Sequence, residues 1–322
     1  MASPIAIMPG RRAALSALGF WLVLLSGCSW WPLRPDPAPD ALILSRRLTT
    51  QAQAAQARGE LEQAHRLLQA AVQQCPYDPD ARVQWAEVLW ARKRHQEALV
   101  QLQQALRLVG PHAELLVRRG EYHLALGHLE AAWRDAHAAL QLDAQSARAW
   151  RLRAGVFYSL GRFEEALADY CQMLHLEPES AATLLELAQT HWQLAQRSGN
   201  PRREEHLYHC LLALQRREES LQDEPPPLEL LAWKGRVYYE LGRLQDALLV
   251  WQQARQRGWS DPQGLYWMAL AYWQTGQVER ARQELAGLLS QVPDHRAARM
   301  LWQRLHRTPA MASLPPETGE AR

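Results

Sequence analysis

Eleven residues, LGRFEEALADY from Leu160 to Tyr170, return in near copies along the chain: RGELEQAHRLL from Arg58, LGHLEAAWRDA from Leu126, LGRLQDALLVW from Leu241 and TGQVERARQEL from Thr275. Gly127 to Gly161 is 34 residues, Gly242 to Gly276 is 34, and Gly59 to Gly127 is 68, twice the period. A fixed period of this size constrains the fold more than any other feature. Each unit can bury its apolar face only against the next, so the units must stack. The glycines set a register with repeats at 45–78, 79–112, 113–146, 147–180, 181–227, 228–261 and 262–295; all have 34 residues except the irregular fifth, which has 47.

Within that register the eighth slot holds Ala52, Ala86, Gly120, Ala154, Ala188, Gly235 and Ala269. The twentieth holds Ala64, Ala98, Ala132, Ala166, Ala247 and Ala281, with only the fifth repeat out of line. Small residues at these slots let two helix backbones approach closely. Bulky residues around them recur at i, i+3, i+4 and i+7, as in Leu265, Met268, Ala269 and Tyr272, which is helical spacing. The glycine of slot fifteen ends the first helix by taking a left-handed conformation. Repeats two and five carry Lys93 and Ala195 there instead, and Pro76, Pro178 and Pro293 close second helices.

Trp150, Ala154, Phe157, Gly161, Ala166, Tyr170 and Pro178 follow the pattern of the tetratricopeptide repeat, and the span Ser45 to His295 resembles that family. The resemblance implies an all-α fold: a right-handed α-solenoid of about seven helix–turn–helix repeats. Residues 296–307, RAARMLWQRLHR, supply the C-terminal capping helix that such a stack needs, and 308–322 form a loose tail.

The N-terminus carries a different signal. Arg11-Arg12 precede an apolar stretch from Ala13 to Gly27 that is shorter than the roughly 20 residues of a membrane span. Basic head, short apolar core and small residues at the end predict an export signal over 1–27. Leu25-Ser26-Gly27-Cys28 resembles the bacterial lipoprotein signal, which implies acylation at Cys28 and, with Ser29 following, an outer-membrane anchor facing the periplasm. Trp30 and Trp31 suit a lipid–water interface, and the Pro-rich PLRPDPAPD makes 28–44 a tether. Without the first 27 residues the chain has 34 basic and 34 acidic residues. Such a neutral balance gives no reason to expect nucleic acid as a partner. Three further cysteines, Cys75, Cys171 and Cys210, are expected as buried thiols, although an oxidising compartment would allow a Cys171–Cys210 disulfide.

By the same resemblance, the first helices line a concave groove that holds peptides or partner helices, with slots five, nine and twelve facing it. Slot twelve holds Trp90, Leu124, Tyr158, Trp192, Tyr239 and Trp273, against Gln56 in the first repeat. These residues read either as an aromatic stripe for a partner or as the shoulder of the packing face. Beside them stand Glu87, Glu121, Arg151, Gln189 and Arg236. They are either a groove that changes sign along its length and so orients a partner, or a solvated face. The paired lysines and asparagines of the family's carboxylate-gripping subtype are absent from these slots.

The 13 additional residues of the fifth repeat make either a kink or protruding contact, or a tolerated insertion. Its EEHLYHC segment places His206, His209 and Cys210 within one turn or so, a spacing that could bind zinc with Glu205 or His191 as a further ligand. The same spacing fits a half-exposed helix. No phosphate loop, nucleophile elbow or HExxH occurs. Glu164-Glu165 suits a helix's first turn. The sequence therefore predicts a non-enzymatic scaffold or adaptor for envelope or periplasmic proteins, with no cofactor and no small-molecule substrate. Its layout is similar to that of bacterial repeat lipoproteins that help assemble pili, outer-membrane proteins or peptidoglycan machinery. A zinc or enzymatic protein centred on His206–Cys210, and a self-assembling structural repeat protein, are the alternatives.

Overall fold

The computed structural model describes residues 39–178, 180–222 and 224–307. The export segment, Cys28 with most of the tether, and the tail from 308 lie outside them. The described residues form fifteen helices and no strand. Seven pairs run α1 (Pro39–Ala57) with α2 (Leu61–Gln74), α3 (Pro79–Ala91) with α4 (His95–Val109), α5 (Ala113–Ala125) with α6 (Leu129–Leu142), and α7 (Ala147–Ser159) with α8 (Phe163–Leu176). They continue with α9 (Ala181–Gln196) and α10 (Arg203–Glu219), α11 (Leu228–Glu240) and α12 (Leu244–Gln256), and α13 (Pro262–Gln274) and α14 (Val278–Gln291). Helix α15 (Arg296–Arg307) packs on α14 and closes the stack. Each odd-numbered or A helix packs on its B partner, and each B helix on the next A helix. The result is an α-solenoid.

Local chemistry sets the helix ends. Asp78 accepts from the backbone N–H of Asp80 (3.1 Å) and Ala81 (3.4 Å), with Pro79 in the first turn of α3. Asp261 and Pro262 repeat the device at α13, where Asp261 Oδ2 accepts from Gly264 N at 2.7 Å. Side-chain caps of this kind pair N–H groups that have no partner inside the helix. The A-to-B turn is made by glycine at φ +72° to +79° at positions 59, 127, 161, 242 and 276. Beyond it the next N–H reaches back five residues, as His128 N does to His123 O at 2.8 Å. Lys93 makes the same turn at φ +62°, and Arg94 N still reaches Leu89 O at 2.9 Å. In the fifth repeat α9 runs past Ala195, which is buried, and the turn is deferred to Gly199 at φ +70°.

Alanines 52, 86, 154, 188 and 269, and alanines 64, 98, 132, 166, 247 and 281, are fully buried where A and B helices cross. At Gly235 the missing Cβ is what admits Trp251, since an added Cβ would collide with the indole nitrogen. One difference from the sequence reading concerns the tether. Residues 39–44 belong to α1 rather than to an extended spacer, because Pro39 sits at a first-turn position where proline costs no hydrogen bond and Asp40 favours the helix start.

Candidate functional site

The slot-twelve side chains fall into two kinds. Trp90, Tyr158, Trp192 and Tyr239 are half-buried. Trp90 stacks on Tyr122 of the next A helix (3.9 Å between centroids, 13° between planes), with His95 behind it at 4.3 Å. Tyr158 meets Phe163 edge-on at 5.2 Å, and Tyr239 leans on Trp267 at 5.3 Å. Leu124, also half-buried, packs against the core formed by Leu116, Ala136 and Leu152. Trp273 departs from the expected stripe. It is 7% exposed and lies beneath Arg304 of α15, 4.9 Å from the ring, so the capping helix removes it from the open face.

The charges do not form a groove that changes sign. Glu87 pairs with Arg118, Glu121 with Arg148 (2.8 Å), Arg151 with Glu186 (2.6 Å), and Arg236 with Glu240. The first three pairs each join an A helix to the next, so opposite charges cancel within a few ångströms and little net field remains along this stretch. Gln189 is exposed. Two pairs that the slot reading missed are deeper. Arg119 Nε donates to Asp135 at 2.8 Å, and Arg153 Nε donates to Asp169 at 2.7 Å, both carboxylates being almost fully buried. The signal was present, since only repeats three and four carry Arg in slot seven with Asp in slot twenty-three.

A concave site does form on the A-helix face where α9, α11 and α13 meet. A cleft of about 630 Å³ is lined by Trp192, Glu229, Ala232, Trp233, Arg236, Trp251, Trp259, Asp261, Gln263, Gly264 and Trp267. Glu229, Ala232, Trp233 and Arg236 follow at i, i+3, i+4 and i+7 and so share one face of α11. Trp251 is fully buried and donates its indole N–H to Ala232 O at 3.0 Å. Trp259 lies against the first turn of α13, in the space that a Cβ on Gly264 would occupy. These two rings are the rigid floor, while Trp192, Trp233 and Trp267 keep part of their surface open. The Arg236 guanidinium lies 3.3 Å from the Trp267 ring centroid. Slots two and six, outside the expected set, contribute four of the eleven residues lining this cleft, Glu229, Trp233, Gln263 and Trp267. Its legible trace was the concentration of Trp233, Trp251, Trp259, Trp267 and Trp273 within 41 residues, out of 14 tryptophans in the chain.

The candidate zinc ligands do not converge. Cys210 is fully buried among Leu207, Leu211 and Leu214, and burial pushes its thiol up to about 12, which disfavours the thiolate a metal needs. His209 is exposed and stacks on His191 at 5.0 Å, and His191 Nδ1 lies 3.2 Å from His206 Nδ1. Glu205 approaches His209 at 4.0 Å. Among the described residues no group of three or more His, Cys, Asp or Glu is arranged to hold a metal ion. Cys75, Cys171 and Cys210 are all free thiols, and Cys171 is exposed rather than buried. No helix among the described residues is long and apolar enough to cross a membrane.

Three segments, 46–88, 112–181 and 263–295, match sequence models of the tetratricopeptide repeat. Outer dynein arm-docking complex subunit 4 of Xenopus laevis is 29% identical over 115 residues, 36% of this chain and 22% of that protein. The chain spans about a fifth of the length of the curated relatives it matches. Among solved structures, PilW, a widely conserved type IV pilus biogenesis factor, superposes with a TM-score of 0.58 at 19% identity, covering 66% of this chain and 92% of that one. Pseudomonas aeruginosa pilF gives 0.57 at 17% identity, covering 74% and 99%. These chains share the repeat solenoid fold.

Proposed function

We propose that this chain is a non-catalytic interaction scaffold that binds segments of partner proteins along the A-helix face. The observation that carries the reading is the set of half-open aromatic rings on that face, held by packing beneath and flanked by self-neutralised ion pairs. Rigid, partly exposed Trp and Tyr are the side chains on which binding energy concentrates. The residues assigned to contact are Trp90, Tyr158, Trp192 and Tyr239, with Leu124 at the margin; Trp273 is withdrawn because it is core. The location belongs to the same proposal. The export-like segment and Leu25–Cys28 support a lipid-anchored envelope protein facing the periplasm, outer membrane rather than inner. The solenoid would then begin at Pro39, a short tether away from the anchor.

The test is crosslinking capture from native envelopes, comparing the unaltered protein with a Trp90→Ala, Tyr158→Ala, Trp192→Ala variant shown by circular dichroism to be folded. Specific proteins captured by the first and lost by the second are the expected result. Equal capture by both would assign these rings to packing. Cys28→Ala is expected to move the protein out of the membrane fraction, and continued membrane association would overturn the anchor.

A further inference from the structure

We propose that the tryptophan cleft between α11 and α13 receives an arginine or lysine side chain carried by an extended segment of a partner protein. This rests on the groove reading above and names the partner chemistry of one part of that groove.

The cleft pairs aromatic faces with carboxylates that have no cation of their own among the described residues. Ring faces of tryptophan carry negative potential and attract ammonium and guanidinium groups. Trp267 already holds one, the guanidinium of Arg236, so this geometry is compatible with a cation on the ring. Among the described residues no cation lies over Trp192 or Trp233, and both rings are partly open. Arg236 is itself paired with Glu240, which also pairs with Arg203, while its Nη1 is buried without a hydrogen-bond partner among the described residues.

Two carboxylates complete the site. Glu229 is exposed, stands one turn before Trp233 on the same face of α11, and makes no ion pair or hydrogen bond among the described residues. Asp261 gives Oδ2 to the cap of α13 and makes no ion pair among the described residues. Glu87, Glu121 and Glu186 on the earlier A helices each face an arginine. The cleft lining thus holds two acids against one base already bound elsewhere, and the complement is a cation. A volume of about 630 Å³ takes a side chain with its flanking backbone. A partner carboxylate would instead meet Glu229 and Asp261.

The substitutions Glu229→Gln and Asp261→Asn remove both charges, and asparagine retains the helix cap. The test titrates the full chain, followed by tryptophan fluorescence and calorimetry, with capped octapeptides of alanine and proline carrying one central Arg, Lys, Gln or Glu. The expected result is that Arg and Lys peptides bind roughly tenfold tighter than the Gln peptide, that the Glu peptide binds least, and that the double variant loses this preference with unchanged circular dichroism. Affinity of the Arg peptide should also fall with salt. Equal binding of the Arg and Gln peptides, or an undiminished preference in the double variant, overturns the cation site. If none of the four peptides binds, the cation site also fails. In each of these cases the capture experiment with Trp90, Tyr158 and Trp192 decides separately whether the groove reading stands.

Discussion

Single residues show where the repeat tolerates departure from its pattern. Lys93 holds a left-handed backbone that glycine holds elsewhere, and for a residue with a Cβ that conformation costs about 1 kcal/mol. Lys93→Gly is therefore expected to raise stability by about 0.5–1 kcal/mol in urea unfolding, whereas the same exchange in a helix interior would lower it. Asp169 behaves in the opposite sense. Its carboxylate is buried and receives two hydrogen bonds from Arg153, at 2.7 and 2.8 Å, while the guanidinium also lies 4.7 Å from the Trp150 ring centroid. Asp169→Ala strands a cation in the protein and should cost about 3 kcal/mol, the low end for breaking a buried pair because Arg153 keeps some contact with solvent. Replacing both partners by apolar residues should cost less than the single change, and a double-mutant cycle measures the difference.

At the scale of elements, the α9–α10 pair is the irregular unit and carries an electrostatic consequence. His191 of α9 faces His206 and His209 of α10, with Glu205, Arg202 and, from α8, Glu164 in the surroundings of His206. Burial first, and then the two neighbouring imidazoles, push His191 down to about 4. His206 is lowered too, chiefly by burial. An unfolded chain, with histidine near its ordinary value of about 6.5, binds more protons than the folded one between those limits. The contribution of His191 is thus intact above that value and is lost as pH falls toward 4, on the order of 3 kcal/mol in total. His191→Gln should flatten the stability profile between pH 6.5 and 4 without changing the rest of it. An unchanged slope would show that other groups set the acid limit.

Across the whole molecule the packing is unequal. From α9 to α15 the buried residues form one continuous cluster, running from Ala188 through Trp251 and Tyr272 to Leu305. From α1 to α8 they fall into separate smaller clusters, each spanning one repeat or a junction. In a solenoid, stability is close to a sum of repeat and neighbour terms, so a continuous core concentrates cooperativity where it lies. Residues 181–307 expressed alone are expected to unfold in one steep transition. Residues 39–178 should melt at lower denaturant with a shallower one. Hydrogen exchange on the full chain reads the same contrast, and faster exchange in α11–α13 than in α3–α5 would contradict it. The cleft then sits in the stiffer half, where a partner meets a preformed surface.

The repeat period, the alternation of A and B helices and the all-α class were legible in the sequence, because a 34-residue period with small residues at slots eight and twenty leaves few ways to bury a helix face. The turn at Lys93, where the pattern lacks its glycine, was not legible in this way and is shown by the structure, the helices on either side holding it. What the sequence could not yield was which side chains meet across repeats. Arg118 finds Glu87 and Arg148 finds Glu121 from 31 and 27 residues away, cancelling charges that read one by one as a polarised groove. Trp273 has the spacing of a surface ring and is buried by a helix that starts 23 residues later. His206 and Cys210 share a helical spacing, yet the hydrophobic environment takes the thiol into the core. Periodicity fixes which face a residue occupies within its own helix; the neighbouring helices, which bring distant residues within a few ångströms, decide whether that face is open, paired or buried.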